Sequence, residues 1–146
     1  MLAPHTAAFH DRARVITVLA NGCFDPLHPG HVAHLEEARR LGDKLVVALT
    51  TDYEVRRQKG EKRPYLKWEE RASMLRALRC VDEVIPSESG WTSVEQVRPD
   101  VFVKGEDWKE RMPTRTEQAC AAIGAVVVYT NAPRFGVAEF VRRIKE

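Results

Sequence analysis

Cysteine is scarce in this chain. Cys23, Cys80 and Cys120 are three in 146 residues, widely spread and without a C-x-x-C pair. An odd, scattered set makes no disulfide framework and fits a reducing compartment. Long apolar runs are missing too: no stretch approaches the roughly 20 apolar residues of a bilayer span. Met1–Phe9 carries no Lys or Arg and the run Val15–Ala20 is short, so no secretion signal is expected. Nor does one sign of charge dominate, with 23 Lys+Arg against 21 Asp+Glu and a formal net charge of +2. That balance argues against a coat for nucleic acid or an anionic membrane. Repeats, low-complexity tracts and Gly/Ser linkers are absent. With 44% hydrophobic residues, the chain has enough apolar material for a core. The expectation is one soluble cytoplasmic domain over residues 14–146, behind a loose extension over 1–13.

The apolar residues that are present alternate between two kinds of segment. Val15–Asn21, Lys44–Thr51, Val81–Pro86, Val101–Lys104 and Val126–Tyr129 read as short buried strands. Pro29–Leu41, Lys67–Arg79 and Thr114–Ile123 read as helices, with Gly42 and Gly124 as stop signals. Val137, Phe140, Val141 and Ile144 give the stripe of a C-terminal helix. Strands alternating with helices imply βαβ units, hence an α/β, Rossmann-like domain. Its open parallel sheet has about five strands, with helices on both faces. Ligands of such sheets sit beyond the carboxyl ends of the strands, so the loops after Ala20, Thr51 and Lys104 are the places to read for function.

After the first strand comes Asn21-Gly22-Cys23-Phe24-Asp25-Pro26-Leu27-His28-Pro29-Gly30-His31. Pro29 fits the first helical turn and puts His28 at or near the N-cap. Gly22 and Gly30 leave room for a ligand to approach the backbone. A helix N-terminus offers free N–H groups and positive potential, a setting that suits phosphate. His28 and His31, three apart, share one side of that turn and could stabilise charge on a polyphosphate.

Gly-x-Phe-Asp-x-x-His-x-Gly-His at a strand–helix junction resembles the signature of the cytidylyltransferase-like nucleotidyltransferases. The resemblance runs over about residues 15–110. It takes in Gly42-Asp43, Thr51-Asp52, Lys59-Gly60-Glu61-Lys62-Arg63-Pro64, Glu69-Glu70-Arg71, Val81-Asp82 and Pro99 to Trp108. The Lys-Gly-x-x-Arg-Pro and Lys-Gly-x-Asp-aromatic elements are most similar to sugar-phosphate adenylyltransferases such as the adenylyltransferase half of ADP-heptose synthases. Glycerol-3-phosphate cytidylyltransferases are similar too and share a Trp at the position of Trp91.

The resemblance implies nucleotidyl transfer. A phosphorylated sugar such as heptose 1-phosphate attacks the α-phosphorus of a nucleoside triphosphate, ATP in first place, and pyrophosphate leaves. His28 and His31 would contact the triphosphate, and Lys59, on a mobile basic loop, would bridge the attacking and transferring phosphates. Gly22, Cys23, Phe24 and Gly30 would face the nucleotide, with Asp107 near the base or ribose. Asp25, Asp52, Lys62 and Arg63 would serve the acceptor. Mg²⁺ would accompany the triphosphate through phosphate oxygens, with no metal site made of side chains. The resemblance also implies a homodimer.

One element departs from the family. The Ser-Thr-Thr turn that opens its last helix is here Arg134-Phe135-Gly136-Val137-Ala138-Glu139. The hydroxyls are gone, which leaves Arg134 and the backbone around Gly136 as phosphate contacts. A nucleotide-binding protein without catalysis therefore stays open as an alternative, and Trp91 and Trp108 keep a CTP-dependent glycerol-3-phosphate cytidylyltransferase open beside it. Plainer readings also apply. His34 reads as an ordinary helix-surface residue, and Arg56 and Arg57 as solvated charges. Trp91 and Trp108 read as structural or substrate-facing alike, and Arg71 and Arg79 suit either phosphate or pairing within the domain.

Overall fold

The computed structural model describes residues 14–146; the extension over 1–13 lies outside the described residues. Five strands form one parallel sheet: β1 (Thr17–Gly22), β2 (Lys44–Thr50), β3 (Glu83–Ser87), β4 (Val101–Gly105) and β5 (Val126–Thr130). Their order is β3-β2-β1-β4-β5. The chain grows outward from β1 through β2 and β3, then crosses back to place β4 on the other side of β1. β1 pairs with β2 from Thr17 opposite Lys44 to Gly22 opposite Leu49, and with β4 from Val18 opposite Val101 to Ala20 opposite Val103. The switch point therefore lies between the ends of β1 and β4.

Successive side chains of a strand point to opposite faces, and the core divides accordingly. Val18, Ala20, Val47 and Val103 pack on one face against Leu35, Ala38, Ala72 and Leu75. Leu19, Val46, Ala48 and Phe102 pack on the other against Val94 and Cys120. Burial on both faces is why these strands read as continuous apolar runs. Truncating a fully buried member such as Leu75 to Ala would cost about 2–5 kcal/mol.

The described residues form six α-helices: α1 (Pro29–Arg39), α2 (Asp52–Lys59), α3 (Trp68–Arg76), α4 (Gly90–Val97), α5 (Thr114–Ile123) and α6 (Val137–Lys145). Two of them lie outside what periodicity predicts. α2 buries only Val55, so it has no apolar stripe. Its signals are a Thr51 hydroxyl accepting from Glu54 N, acids in the first turn and bases in the last. α4 is eight residues long, capped by Ser89 and closed by Arg98 in left-handed geometry (φ 51°). Lys59 is accordingly the last residue of a helix rather than part of a loop, and Gly60 at φ 109° turns the chain out of it. No helix among the described residues is long and apolar enough to cross a membrane.

Candidate active site

A cleft of about 1370 Å³ opens over the carboxyl ends of β1 and β4. Its floor begins at the start of α1. His28 is the N-cap of that helix, and its Nδ1 accepts from His31 N at 3.3 Å, with Pro29 at the first helical position. With Nδ1 accepting, the neutral His28 ring carries its proton on Nε2. The two imidazoles stack with centroids 3.5 Å apart and planes 18° from parallel. Phe24 sets its ring edge-on to His31 at 4.9 Å, from a left-handed backbone (φ 46°) that a bulky residue rarely adopts. Such strain clusters at functional sites.

The surroundings bias both rings toward the neutral form. Burial, then the neighbouring His28, His34 and Lys59, push His31 down to about 3, and burial also lowers His28. Two stacked rings cannot both hold a proton cheaply until an anion arrives to compensate them. His31 Nδ1 is buried without a hydrogen-bond partner among the described residues. An orphaned polar atom at a helix N-terminus suits a ligand that brings its own oxygens.

Two buried polar knots hold the loops around this turn. Asp25 accepts from Tyr65 N (2.8 Å), Leu66 N (2.9 Å) and Arg63 Nε (2.9 Å). Burial alone would raise its carboxyl, but those backbone donors and Arg63 outweigh it and hold the group below its ordinary value. Arg71 is fully buried and donates to the carbonyls of Leu66, Cys23 and Thr50 and to Asp52 Oδ1 at 2.6 Å. It thereby ties the β1 loop to the end of β2, so its role here is pairing within the domain.

Most of the residues expected at the site line one cleft: Gly22, Cys23, Phe24, Asp25, His28, Gly30, His31, Lys59, Arg63, Asp107, Arg134 and Gly136. Asp52 and Lys62 do not. The Asp52 carboxylate is held by Arg71, and the acceptor set inferred for Asp25, Asp52, Lys62 and Arg63 is not assembled as one group. Gly30 lines the cleft and also meets the chain's own backbone. A Cβ there would meet the carbonyl oxygen of Pro133 at 2.8 Å, so the close approach is made by the chain's own segment before α6.

His34 is no plain surface residue. It lines the cleft, its Nδ1 lies 2.5 Å from Thr130 Oγ1, and burial and Lys104 push it down to about 4. Trp91 and Trp108 both stand on the cleft wall. Arg115 lies over the first at 4.0 Å, and Lys104 and Arg111 lie over the second at 4.2 Å each. Among the described residues no group of three or more His, Cys, Asp or Glu could hold a metal ion.

The start of α6 reaches the same cleft through Gly136 and Val137. It has no side-chain cap, and its first turn carries Glu139, bound by Arg142 at 2.6 Å and Arg143 at 3.3 Å.

A β3-β2-β1-β4-β5 parallel sheet, with a cleft at its switch point and a pair of imidazoles on the adjoining helix end, defines a nucleotide-handling α/β enzyme. A cytidylyltransferase-like family model matches residues 19–143, and the chain belongs to that family of nucleotidyltransferases. The bifunctional protein HldE of Photorhabdus laumondii is 43% identical over 130 residues, covering 88% of this chain and 27% of that protein. HldE of Chromohalobacter salexigens is 48% identical over 113 residues, covering 76% and 24%. This chain thus spans about a quarter of the length of these relatives. Among solved structures, a lipopolysaccharide core biosynthesis protein from Thermoplasma volcanium superposes with TM-score 0.67 at 29% identity, covering 84% of this chain and all of that one. A pantothenate synthetase from Thermus thermophilus, at 17% identity and TM-score 0.56 over 84% of this chain and 57% of that one, shares the fold alone.

Proposed function

We propose that this domain transfers AMP from ATP to the phosphate of a sugar such as heptose 1-phosphate. An acceptor phosphate oxygen forms a bond to the α-phosphorus, the bond from that phosphorus to the bridging oxygen breaks, and pyrophosphate leaves with the electron pair. The observation that carries the reading is the stacked His28–His31 pair at the α1 N-terminus. No protein nucleophile is needed, because the reaction is one of positioning and charge neutralisation. His28 would donate from Nε2, the orphaned His31 ring would gain a partner, and Lys59 at the end of α2 would add a mobile point charge. The triphosphate would arrive with Mg²⁺ held by phosphate oxygens and water.

The choice of ATP and a sugar phosphate rests on the resemblance of Lys59–Pro64 and Lys104–Trp108 to the adenylyltransferase half of ADP-heptose synthases. The match to a quarter of bifunctional HldE proteins agrees with it. CTP with glycerol 3-phosphate is a second reading, favoured by Trp91 on the cleft wall. Pyrophosphate release across four nucleoside triphosphates and a panel of phosphorylated acceptors tests both. Turnover of ATP with heptose 1-phosphate is expected, and a preference for CTP with glycerol 3-phosphate selects the second reading. Nucleotide binding by the folded chain without pyrophosphate from any pair sinks the enzymatic reading.

A further inference from the structure

The mechanism leaves one buried charge unused. Lys104 is 8% exposed at the end of β4, and its Nζ has one hydrogen bond, to Asn21 O at 2.8 Å. An ammonium carries three donors. The ammonium also lies over the face of Trp108 at 4.2 Å, and among the described residues Lys104 forms no ion pair. Asp107, the nearest carboxylate in sequence after Glu106, is bound to Arg111 at 3.2 Å. A cation taken out of water without a counter-charge is costly, and a fold that merely needed to join β1 to β4 could do so with a neutral donor. The side chain lines the cleft.

Sheet order gives this cation its meaning. Lys59 closes the helix that follows β2, the histidine pair follows β1, and Lys104 lies near the end of β4, so the two lysines reach the cleft from elements on either side of β1. In an in-line displacement the attacking and leaving oxygens lie on opposite sides of the transferring phosphorus, and both are anionic. One cluster of cations on one side neutralises only one of them.

We propose that Lys104 is a substrate-binding residue, the second positive pole of the cleft, which takes a phosphate oxygen across the reacting phosphorus from Lys59. This rests on the nucleotidyl-transfer reading above. The chemistry is the same whether that oxygen belongs to the leaving pyrophosphate or to the acceptor's phosphate. Burial pushes Lys104 down to about 8, with Arg111 and Lys59 adding to the shift and Cys23 and Asp107 opposing it, while its charge also bears on His34. An anion bound at Nζ therefore draws a proton onto Lys104 when the solution is near pH 8.

The test is calorimetry at pH 8, in two buffers of different ionisation enthalpy, with inorganic pyrophosphate and inorganic phosphate as separate probes. Wild-type chain is expected to bind with proton uptake. Lys104→Met, which keeps most of the length of the side chain, is expected to weaken one probe at least tenfold and to lose that uptake. Weakening of pyrophosphate assigns Lys104 to the leaving side, and weakening of phosphate assigns it to the attacking side. Unchanged affinity for both in a folded Lys104→Met, with wild-type chain still binding, overturns the proposal and leaves the reading of the cleft standing. Failure of wild-type chain to bind either probe overturns that reading, and the proposal with it. A measurement independent of any variant's folding follows the Lys104 side-chain resonance of wild-type chain by lysine-selective NMR. A shift on adding either probe is expected, and a resonance that ignores both contradicts the assignment.

Discussion

Two helix N-termini open into the same cleft, and they are built for different purposes. The first turn of α1 has a histidine cap, no acid, and a second imidazole stacked on the first. The first turn of α6 has Gly136 as its cap, no hydroxyl, and Glu139 tied to Arg142 and Arg143. Both helices have the same kind of dipole, and that dipole alone is worth only about 0.3–1 kcal/mol to a nearby anion. On the proposed reading the side chains decide which end takes a phosphate. At α1 a buried ring nitrogen is left without a hydrogen-bond partner, whereas the first turn of α6 carries a carboxylate bound by two arginines.

The largest test of that contrast removes the imidazoles. His28→Ala and His31→Ala are each expected to lower kcat by about 10²-fold or more, with an unchanged far-UV dichroism spectrum, because each removes an imidazole proposed to stabilise developing charge. Ala138→Ser in α6 should change kcat by no more than about a few fold, the scale of one helix-end contact. Equal effects at the two ends would erase the distinction.

Next in size is Gly30→Ala. Its Cβ would press on Pro133 O, so the segment leading into α6 must shift away from α1. A loss of about 1–3 kcal/mol in denaturant unfolding is expected from such overpacking. A neutral result would mean that the two helix ends are not held together through this contact.

Acidification gives a smaller, graded effect. The unfolded imidazoles take protons near their ordinary 6.5, while in the fold His31 waits until about 3 and His34 until about 4. Below 6.5 the unfolded state thus binds more protons, and stability falls with pH until the folded values are reached. Between pH 7 and pH 5 the empty chain should lose Tm, on the order of 5 °C, and saturating pyrophosphate should make the decline shallower. A ligand-independent slope would detach the histidines from anion binding.

The smallest effect belongs to α6. Removing its carboxylate as Glu139→Gln should tighten pyrophosphate binding by roughly two- to fivefold, the scale of a helix-end charge. No change by calorimetry would place the α6 turn out of reach of the ligand.

Much of this is legible in the chain itself. Continuous apolar runs between helical stripes point to the parallel sheet, and Pro29 places His28 at the cap where it stands. α2 is hidden because a helix that buries only Val55 has no stripe to show. Its caps and charge order are the readable signal. Lys104 belongs to a motif, yet nothing local distinguishes a strand-end lysine in solvent from one under Trp108. Asp25 and Asp52 look like acceptor contacts, and only the fold shows their carboxylates engaged by Arg63 and Arg71. His34 misleads for a similar reason: its partner, Thr130, is 96 residues away.

The most direct test of the central claim, that the α1 turn is the polyphosphate site, is a histidine-selective NMR titration with and without pyrophosphate. The imidazoles of His28 and His31 should both titrate below the ordinary histidine value in the empty chain, His31 only near 3, and at higher pH once pyrophosphate is bound. Resonances that titrate identically in both states would contradict the account.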